Sequence, residues 1–210
     1  MDVVYFGSRE IYPDFVTAIN SLRAHNKANV YAIIEDESLG IPDVTYIKWD
    51  YRKWFNNLNT QTKWKDFGVL RAALSKVFPD KDKILSLDVD TIVTGDISDL
   101  WNVDLGSYHM AMVREPYLSG ERTYFNAGVA LINLKLLRED GTDDKMIRDL
   151  NSYYRRYVAQ DTITEYCRVL ELPSTYNSCK FTAPCGNAKI IHYADRTDWR
   201  ELPEVTRYKL

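Results

Sequence analysis

The 210-residue sequence has little of what marks several specialised protein classes. Its three cysteines, Cys167, Cys179 and Cys185, are an odd number without the C-x-x-C spacing of zinc sites. Reduced thiols are therefore expected, with a Cys179–Cys185 disulfide as the open alternative. No run approaches the roughly 20 apolar residues of a membrane-spanning helix. The start, Met1 to Tyr5, has neither the basic nor the long apolar region of a signal peptide. We expect a soluble protein of the cytoplasm.

An excess of positive charge is also missing. Lys and Arg number 27 against 30 Asp and Glu, a formal net charge of −3, and no block of like charge stands out. Nucleic acid is therefore not an expected partner, and an anionic ligand must be met by a few placed residues or by a metal. The content of 45% hydrophobic and 27% charged residues excludes a disordered or coiled-coil chain.

Short apolar runs alternate with segments of helical period along the chain, which is typical of an α/β fold. Strands are predicted over 3–7, 30–34, 44–49, 83–87, 110–113, 128–132 and 189–192. Helices are predicted where Phe15, Ala18, Ile19 and Leu22 share one face, where Phe67, Arg71, Leu74 and Phe78 do, and over 143–157 and 161–170. No repeat or linker interrupts the pattern, so we expect a single domain over residues 1–210.

The most informative motif is Asp88-Val89-Asp90, at the carboxyl end of an apolar strand. Side chains at i and i+2 of an extended segment point the same way, and two adjacent carboxylates suit Mg²⁺ or Mn²⁺ beside a diphosphate. Such pairs also form turns and helix caps. A calcium loop is disfavoured because Ile92 and Val93 stand where it needs Asp or Asn and then Gly. An aspartyl-phosphate phosphatase is disfavoured because its threonine would fall at Ile92.

Four further polar residues have both a structural and a functional interpretation. Arg71 lies on an apolar helix face, where it either reaches solvent, pairs with a buried acid such as Asp88, or binds an anionic ligand. His192 ends a short strand as a structural residue or a ligand. Asn126 either contacts a hydroxylated ligand or caps a turn. Asp161 precedes a helical period and is expected as an N-cap.

The stretch 50–65 has no period and is predicted to be a loop. Its aromatic residues Tyr51, Trp54, Phe55 and Trp64 either shape an acceptor site or belong to the core.

Taken in order, these segments resemble the retaining nucleotide-sugar glycosyltransferases of family 8, which include glycogenin and bacterial galactosyl- and glucosyltransferases. The resemblance runs from Val3 to about Trp199. It is carried by Arg71, by Ile84 to Val93 around Asp88 and Asp90, by Gly95 to Trp101, by Tyr124 to Val129, by Ile132 to Leu134, by Gln160-Asp161, by Leu172-Pro173 with Tyr176-Asn177, and by Ile191-His192-Tyr193.

The resemblance implies a single Rossmann-like GT-A domain with a mixed central sheet flanked by helices. It also implies a Mn²⁺ cofactor, with Mg²⁺ as a substitute, and a UDP-sugar donor. Asp88, Asp90 and His192 would hold the metal. Nucleotide-sugar contacts would come from Gly7, Ser8, Arg9, Tyr12, Arg71, Asp88, Val89, Asp90, Asn126, Ala127, Gln160 and Arg196. Gln160 and Asn126 would lie at the reacting sugar.

The sequence departs from the family pattern at three places. Ala159 stands where members often carry Asp before the glutamine. In His192 to Asp198 the glycine and the phosphate-binding lysine of H-x-x-G-x-x-K are missing, and Arg196 is the nearest cation. Gly7 to Tyr12 replaces the usual A-x-D-x-N-Y-like run.

The resemblance implies a metal-dependent retaining transferase that moves glucose or galactose from a UDP-sugar to a glycan or glycolipid acceptor. The alternative is a nucleotide-sugar-binding protein of the same fold with weak or no transfer, which the departures at Ala159 and Asp198 favour. The basic, aromatic tail that many bacterial members use at membranes is not found before Leu210. A soluble acceptor or a truncated chain would account for that, and peripheral membrane contact stays open.

Overall fold

The computed structural model describes residues 1–61, 65–116 and 123–209. Nine strands are present in these ranges, seven of them in one central sheet. The strands are β1 Asp2–Phe6, β2 Asn29–Ile34, β3 Val44–Lys48, β4 Lys83–Leu87, β5 Thr91–Val93, β6 Met110–Arg114, β7 Phe125–Asn133, β8 Val169–Leu172 and β9 Ile190–His192.

The central sheet is mixed, with the strand order β3-β2-β1-β4-β7-β6-β8. Strands β3, β2, β1 and β4 run parallel to one another, and β7 is antiparallel to both β4 and β6. Because β7 runs the other way, its beginning lies at the edge where β1 and β4 end. Open α/β sheets bind ligands at this edge.

Helices cover both faces of the sheet, as the family resemblance implies. The α-helices are α1 Tyr12–His25, α2 Leu74–Val77, α3 Ser98–Trp101, α4 Leu134–Glu139, α5 Thr142–Ser152, α6 Ala159–Tyr166 and α7 Pro203–Thr206. Short 3₁₀ helices lie at Arg9–Ile11, Tyr51–Lys53, Lys65–Ala73, Ser174–Tyr176 and Trp199–Glu201.

Alternation along β1 divides the core between the two faces. Val3 and Tyr5 pack with Phe15 and Leu22 of α1 on one side of the sheet. Val4 and Phe6 face the other side, in the cluster that also contains the apolar residues of α5 and α6. The predicted apolar face of α1 is therefore confirmed.

The segment around Arg71 is helical but mostly not α-helical. A 3₁₀ helix covers Lys65–Ala73, and only Leu74–Val77 forms an α-helix. Phe67, Leu74 and Phe78 are buried as the spacing predicts, and Arg71 is buried with them.

Two short strands differ from the sequence prediction. β5 follows Asp90 directly and pairs with β9 in a separate two-stranded sheet, aligning Thr91 with His192. β8 occupies Val169–Leu172. The predicted helix over 161–170 was therefore wrong in its second half, since α6 ends at Tyr166.

All three cysteines are free thiols, so Cys179 and Cys185 are not paired. No helix in the described ranges is long and apolar enough to cross a membrane.

Candidate active site

A cavity of about 630 Å³ opens at the sheet edge where β1 and β4 end and β7 begins. Gly7 and Ser8 follow β1 into it, Asp88 to Asp90 follow β4, and Asn126 to Gly128 come from the start of β7. Phe67, Gly68 and Arg71 form a second side, and Tyr157 to Gln160 form a third. The C-terminal segment adds His192, Ala194, Asp195, Trp199 and Arg200. The cavity thus collects residues from distant parts of the chain.

Two carboxylates and one imidazole converge in this cavity. Ligand atoms of Asp88, Asp90 and His192 all lie within 4.8 Å of one another. His192 Nε2 lies 3.3 Å from Asp90 Oδ1 and 3.8 Å from Asp88 Oδ2. The two carboxylates meet through a turn rather than through the extended segment that the sequence argument assumed, because the Thr91 N–H and hydroxyl both donate to the Asp88 carbonyl.

Asn177 and Gly128 fix the orientation of the His192 ring. Nδ1 of His192 lies 3.0 Å from the Asn177 side-chain oxygen, so it donates there and leaves Nε2 facing the carboxylates. A Cβ atom on Gly128 would lie 2.1 Å from Cε1 of His192. This distance is far shorter than any van der Waals contact between two carbon atoms. Only a glycine at position 128 leaves room for the ring.

The charges of this cluster depend on one another. Burial acts to lower the pKa of His192, but the charge of Asp90 outweighs it and raises that pKa well above 6.5. For Asp90, burial acts to raise the pKa, and the charge of His192 lowers it overall. The charged forms of His192 and Asp90 therefore stabilise each other, and a metal ion at Nε2 would take the place of the proton there.

Arg71 pairs with Asp88, as one of its structural interpretations predicts. Its Nη2 lies 2.5 Å from Asp88 Oδ1, and its guanidinium lies over the Phe6 ring at 4.7 Å from the centroid. The side chain is 8% exposed and still lines the cavity. Arg71 therefore stabilises the Asp88 carboxylate and carries positive charge to the cavity wall.

A chain of side-chain amides connects His192 to the opposite wall. Asn177 donates to Asn126 Oδ1 at 2.9 Å, and Asn126 donates to Glu115 Oε2 at 3.0 Å. Gln160 donates to the same Glu115 oxygen at 3.2 Å, while the Ala127 N–H donates to Gln160 Oε1 at 3.0 Å. Burial raises the pKa of Glu115 above 4.5, although both amides act to lower it. Asn126, Ala127 and Gln160 thus form one rigid polar wall.

The strand pairing explains why this wall faces the cavity. The register of β6 on β7 shifts between Met112, opposite Ala130, and Val113, opposite Asn126. The intervening β7 residues are released from the β6 ladder, as in a bulge. The Ala127 and Gly128 N–H groups are then free to bond Gln160 and Asn126.

The donor set fits a divalent cation. Carboxylate oxygens suit Mg²⁺ and Mn²⁺, and an imidazole shifts the preference toward a transition metal such as Mn²⁺. An ion about 2.1 Å from each ligand keeps ligand atoms within about 4.2 Å of one another, so the 4.8 Å spread needs only small side-chain adjustments. Asp88, Asp90 and His192 are the residues that could hold it.

Most of the predicted site residues come together in the cavity. Its lining includes Gly7, Ser8, Arg71, Asp88, Val89, Asp90, Asn126, Ala127, Gln160 and His192. Arg9, Tyr12 and Arg196 do not line it. Arg9 pairs with Asp36 and Arg196 with Asp198, both at the surface, and Tyr12 begins α1.

Arg200 is the cation of the C-terminal segment that does line the cavity. Its Nε and Nη2 lie 2.6 Å and 2.5 Å from the two oxygens of Asp14, a buried residue of α1. The family pattern that follows His192 pointed instead to Arg196, the cation nearest to the missing lysine. The contact with Asp14, 186 residues away, has no local signal.

Other candidates have structural roles. Phe55 is buried, Trp54 stacks on Trp49, and Tyr51 packs against the core, so none of them lines the cavity; Trp64 lies outside the described residues. Asp161 is not the N-cap of α6, which is Val158. Asp161 lies in the first turn and accepts hydrogen bonds from the Tyr157 N–H and the Tyr124 hydroxyl.

Comparison with known proteins gives one consistent assignment. The family model described as "Glycosyl transferase family 8" matches residues 3–197. Glycosyltransferase GlyA of Streptococcus pneumoniae is 32% identical over 149 residues, which cover 61% of this chain and 21% of that protein. GlyB of the same organism is 31% identical over 131 residues, covering 61% of this chain and 31% of the relative.

Solved structures show the same fold. The galactosyltransferase LgtC, in complex with donor and acceptor sugar analogs, superposes with a TM-score of 0.74 at 18% identity, covering 99% of this chain and 94% of LgtC. GlyE of S. pneumoniae superposes with a TM-score of 0.70 at 24% identity, covering 93% of this chain and 54% of GlyE. The chain spans about a third or less of the length of the curated relatives it matches.

Proposed function

The chain belongs to glycosyl transferase family 8, and from that premise we propose that it moves a hexose, glucose or galactose, from a UDP-linked donor to a glycan or glycolipid acceptor. The proposal includes retention of the anomeric configuration and dependence on Mn²⁺, for which Mg²⁺ can substitute. Three free thiols fit a reducing compartment, and we propose the cytoplasm.

The observation that carries the proposal is the convergence of Asp88, Asp90 and His192 in a cavity lined by acids. Its other acidic lining residues in the described ranges are Glu10, Asp14, Glu115 and Asp195. A nucleoside diphosphate is itself an anion and would be repelled by this lining. A divalent cation at the cluster turns the repulsion into attraction.

When bound, the metal would act as a Lewis acid that neutralises the charge developing on the leaving diphosphate. Asp88, Asp90 and His192 would hold it. Among the described residues, Arg71 and Arg200 supply the fixed positive charge of the cavity lining. Both guanidiniums are oriented by carboxylates, Arg71 by Asp88 and Arg200 by Asp14. Their N–H groups are therefore positioned before the nucleotide sugar binds.

The polar wall of Asn126, Ala127 and Gln160 is the surface we assign to the donor sugar. Glu115 holds the Gln160 amide nitrogen and the Ala127 N–H holds its oxygen, so the amide cannot rotate freely. A fixed amide dipole beside the anomeric carbon would stabilise the positive charge of an oxocarbenium-like state.

The base and ribose would lie against Gly7, Ser8 and Val89, next to the ends of β1 and β4. Arg9 and Tyr12 follow directly in the chain, and we propose them as outer contacts of the nucleotide. We also propose Arg196 as an outer contact of the nucleotide, although its guanidinium pairs with Asp198 in this structure.

A second candidate, donor binding without transfer, is favoured by Ala159, which leaves no carboxylate before Gln160. Two contacts weigh against it. The carboxylate of Glu115, the residue after β6, accepts a hydrogen bond from the Gln160 amide. Arg200 supplies a cation to the cavity, where the family's lysine is missing. The chemical groups are present, supplied from other positions.

The test measures thermal unfolding with UDP and UDP-hexoses, each with and without Mn²⁺, followed by turnover. A ligand at a hundredfold excess over its Kd stabilises the native state by about 2.7 kcal/mol. We expect a Mn²⁺-dependent shift and transfer, both lost in Asp90→Asn and both kept in Asp80→Asn, whose exposed carboxylate lies outside the cavity. Undiminished turnover in Asp90→Asn overturns the proposal. A Mn²⁺-dependent shift with no turnover of any donor supports the second candidate.

A further inference from the structure

Two aromatic residues of the cavity lining each carry a stacked cation. The Arg156 guanidinium carbon lies 5.3 Å from the centroid of the Tyr157 ring, and the Lys180 ammonium lies 4.7 Å from that of Phe181. Both rings are half-buried and line the cavity, while Arg156 and Lys180 are exposed. The two cations therefore lie outside the rings, at the rim of the cavity.

Arg156 and Lys180 differ from the two arginines of the cavity lining, because neither has an ion-pair partner among the described residues. Arg71 and Arg200 pair with Asp88 and Asp14, respectively. In residues 1–61, 65–116 and 123–209, no carboxylate lies within ion-pair distance of Arg156 or Lys180. An exposed, unneutralised cation attracts anions, and its contact with a ring holds it in place.

We propose that the acceptor is an anionic glycan, bound across this rim by Arg156, Tyr157, Lys180 and Phe181. The proposal rests on the transferase function above and names its acceptor class. A sugar packs its CH face on an aromatic ring, and a carboxylate or phosphate ester on that sugar would then lie beside the stacked cation.

The charge distribution gives the rim this role rather than donor binding. The donor diphosphate is met deeper in the cavity, by the metal cluster, Arg71 and Arg200. Once the diphosphate is bound there, its own charge and the acids Glu115 and Asp195 repel an acceptor's anionic substituent, and the rim attracts it. An acceptor bound this way presents its hydroxyl inward and keeps its charge outside.

The test uses matched pairs of probes that differ only in charge. Tetragalacturonate is compared with its methyl ester, and a phosphorylated mannotetraose with its dephosphorylated form, which separates carboxylate from phosphate recognition. Binding is measured by calorimetry on the chain loaded with UDP and Mn²⁺, at 20 and 300 mM salt. We expect at least one anionic probe to bind more tightly than its neutral partner, and salt to reduce the difference.

Arg156→Gln and Lys180→Gln should each weaken binding of the anionic probe by roughly two- to fivefold and leave the neutral probe unaffected. Arg207→Gln is the matched control, because Arg207 also stacks on a tyrosine, Tyr208, outside the cavity lining. Equal binding of charged and neutral probes in both pairs, or equal effects of all three substitutions, overturns the proposal. The UDP- and Mn²⁺-dependent thermal shift of the unsubstituted chain is a separate reading, whose absence counts against the transferase function instead.

Discussion

At the scale of single residues, the missing side chain of Gly128 determines where the His192 ring can lie. In Gly128→Ala the new methyl group would occupy the ring's position, 2.1 Å from Cε1, so the imidazole must move away from Asp88 and Asp90. We expect Mn²⁺ affinity to fall about tenfold or more and unfolding free energy to fall by about 1–3 kcal/mol. Calorimetric Mn²⁺ titration and urea unfolding measure the two effects.

Gly95→Ala is the matched control, since a Cβ atom there meets nothing within 4 Å. Its Mn²⁺ affinity should equal that of the unsubstituted chain. If Gly128→Ala also binds Mn²⁺ normally, the ring is not held by this glycine.

The sequence pointed to residues whose chemistry is unusual for their position. Asp88 and Asp90 end an apolar strand, and His192 ends another, so each was predicted. Glu115 was missed, and Asn177 was named in the family resemblance without a role at the site, because a glutamate after a strand and an asparagine in a turn are ordinary. Their importance comes from contacts with Gln160 and His192, which only the folded chain provides.

At the scale of elements, Asp140 joins the corner between α4 and α5 to the beginnings of β6 and β8. It accepts hydrogen bonds from His109 Nε2 at 2.7 Å and from the Thr142 N–H at 3.1 Å, and it lies 3.4 Å from an Arg168 nitrogen. Burial acts to raise the pKa of Asp140, but the hydrogen bonds from His109 and Thr142 outweigh it and lower that pKa to about 2.

This lowered pKa predicts a specific acid sensitivity. An unfolded aspartate has a pKa of about 3.9, so the stabilisation by Asp140 is complete above that pH and is lost as the pH falls toward 2. Since 32% of the side chain is exposed, we expect a loss on the order of 1 kcal/mol. Urea unfolding between pH 5 and pH 2.5 measures it. Asp140→Asn should be less stable at pH 5 and show a shallower decline; an identical decline would contradict this role.

Elements with long apolar or periodic patterns were predicted well, whereas two short strands, β5 and β8, were missed. β1, β2 and β4 follow their apolar runs, whereas β5 has three residues and β8 reads V-L-E-L, too short for a period. The Lys65–Ala73 segment buries the predicted face but winds as a 3₁₀ helix. Periodicity identifies which residues are buried better than it identifies the helix type.

At the scale of the whole molecule, residues 193–209 return to α1 and close one side of the cavity. Asn20 donates to the Tyr208 carbonyl, His25 contacts the Tyr208 hydroxyl, and Asp14 pairs with Arg200. Trp199 stacks on Tyr193 with ring centroids 5.5 Å apart, in a small core of its own. This segment is therefore both a packing unit and a wall of the site.

Trp199→Ala should lower the free energy of unfolding by about 3–5 kcal/mol, because a large, 3% exposed side chain is lost from that small core. UDP affinity in the presence of Mn²⁺ should also fall, since Trp199 lines the cavity. Trp54→Ala, which alters the main core away from the cavity, should destabilise the chain yet keep UDP affinity at temperatures where it is folded. Equal UDP affinities in the two variants would contradict the role of this wall.

The hydrogen bonds from His192 through Asn177 and Asn126 to Glu115 and Gln160 have a thermodynamic consequence. A ligand that shifts the imidazole and one that shifts the Gln160 amide disturb the same set of bonds. The binding of the two ligands is then linked by a coupling free energy. Each ligand changes the affinity of the other by the same factor. A metal ion that moves the His192 ring would therefore change the affinity for a sugar that moves the Gln160 amide.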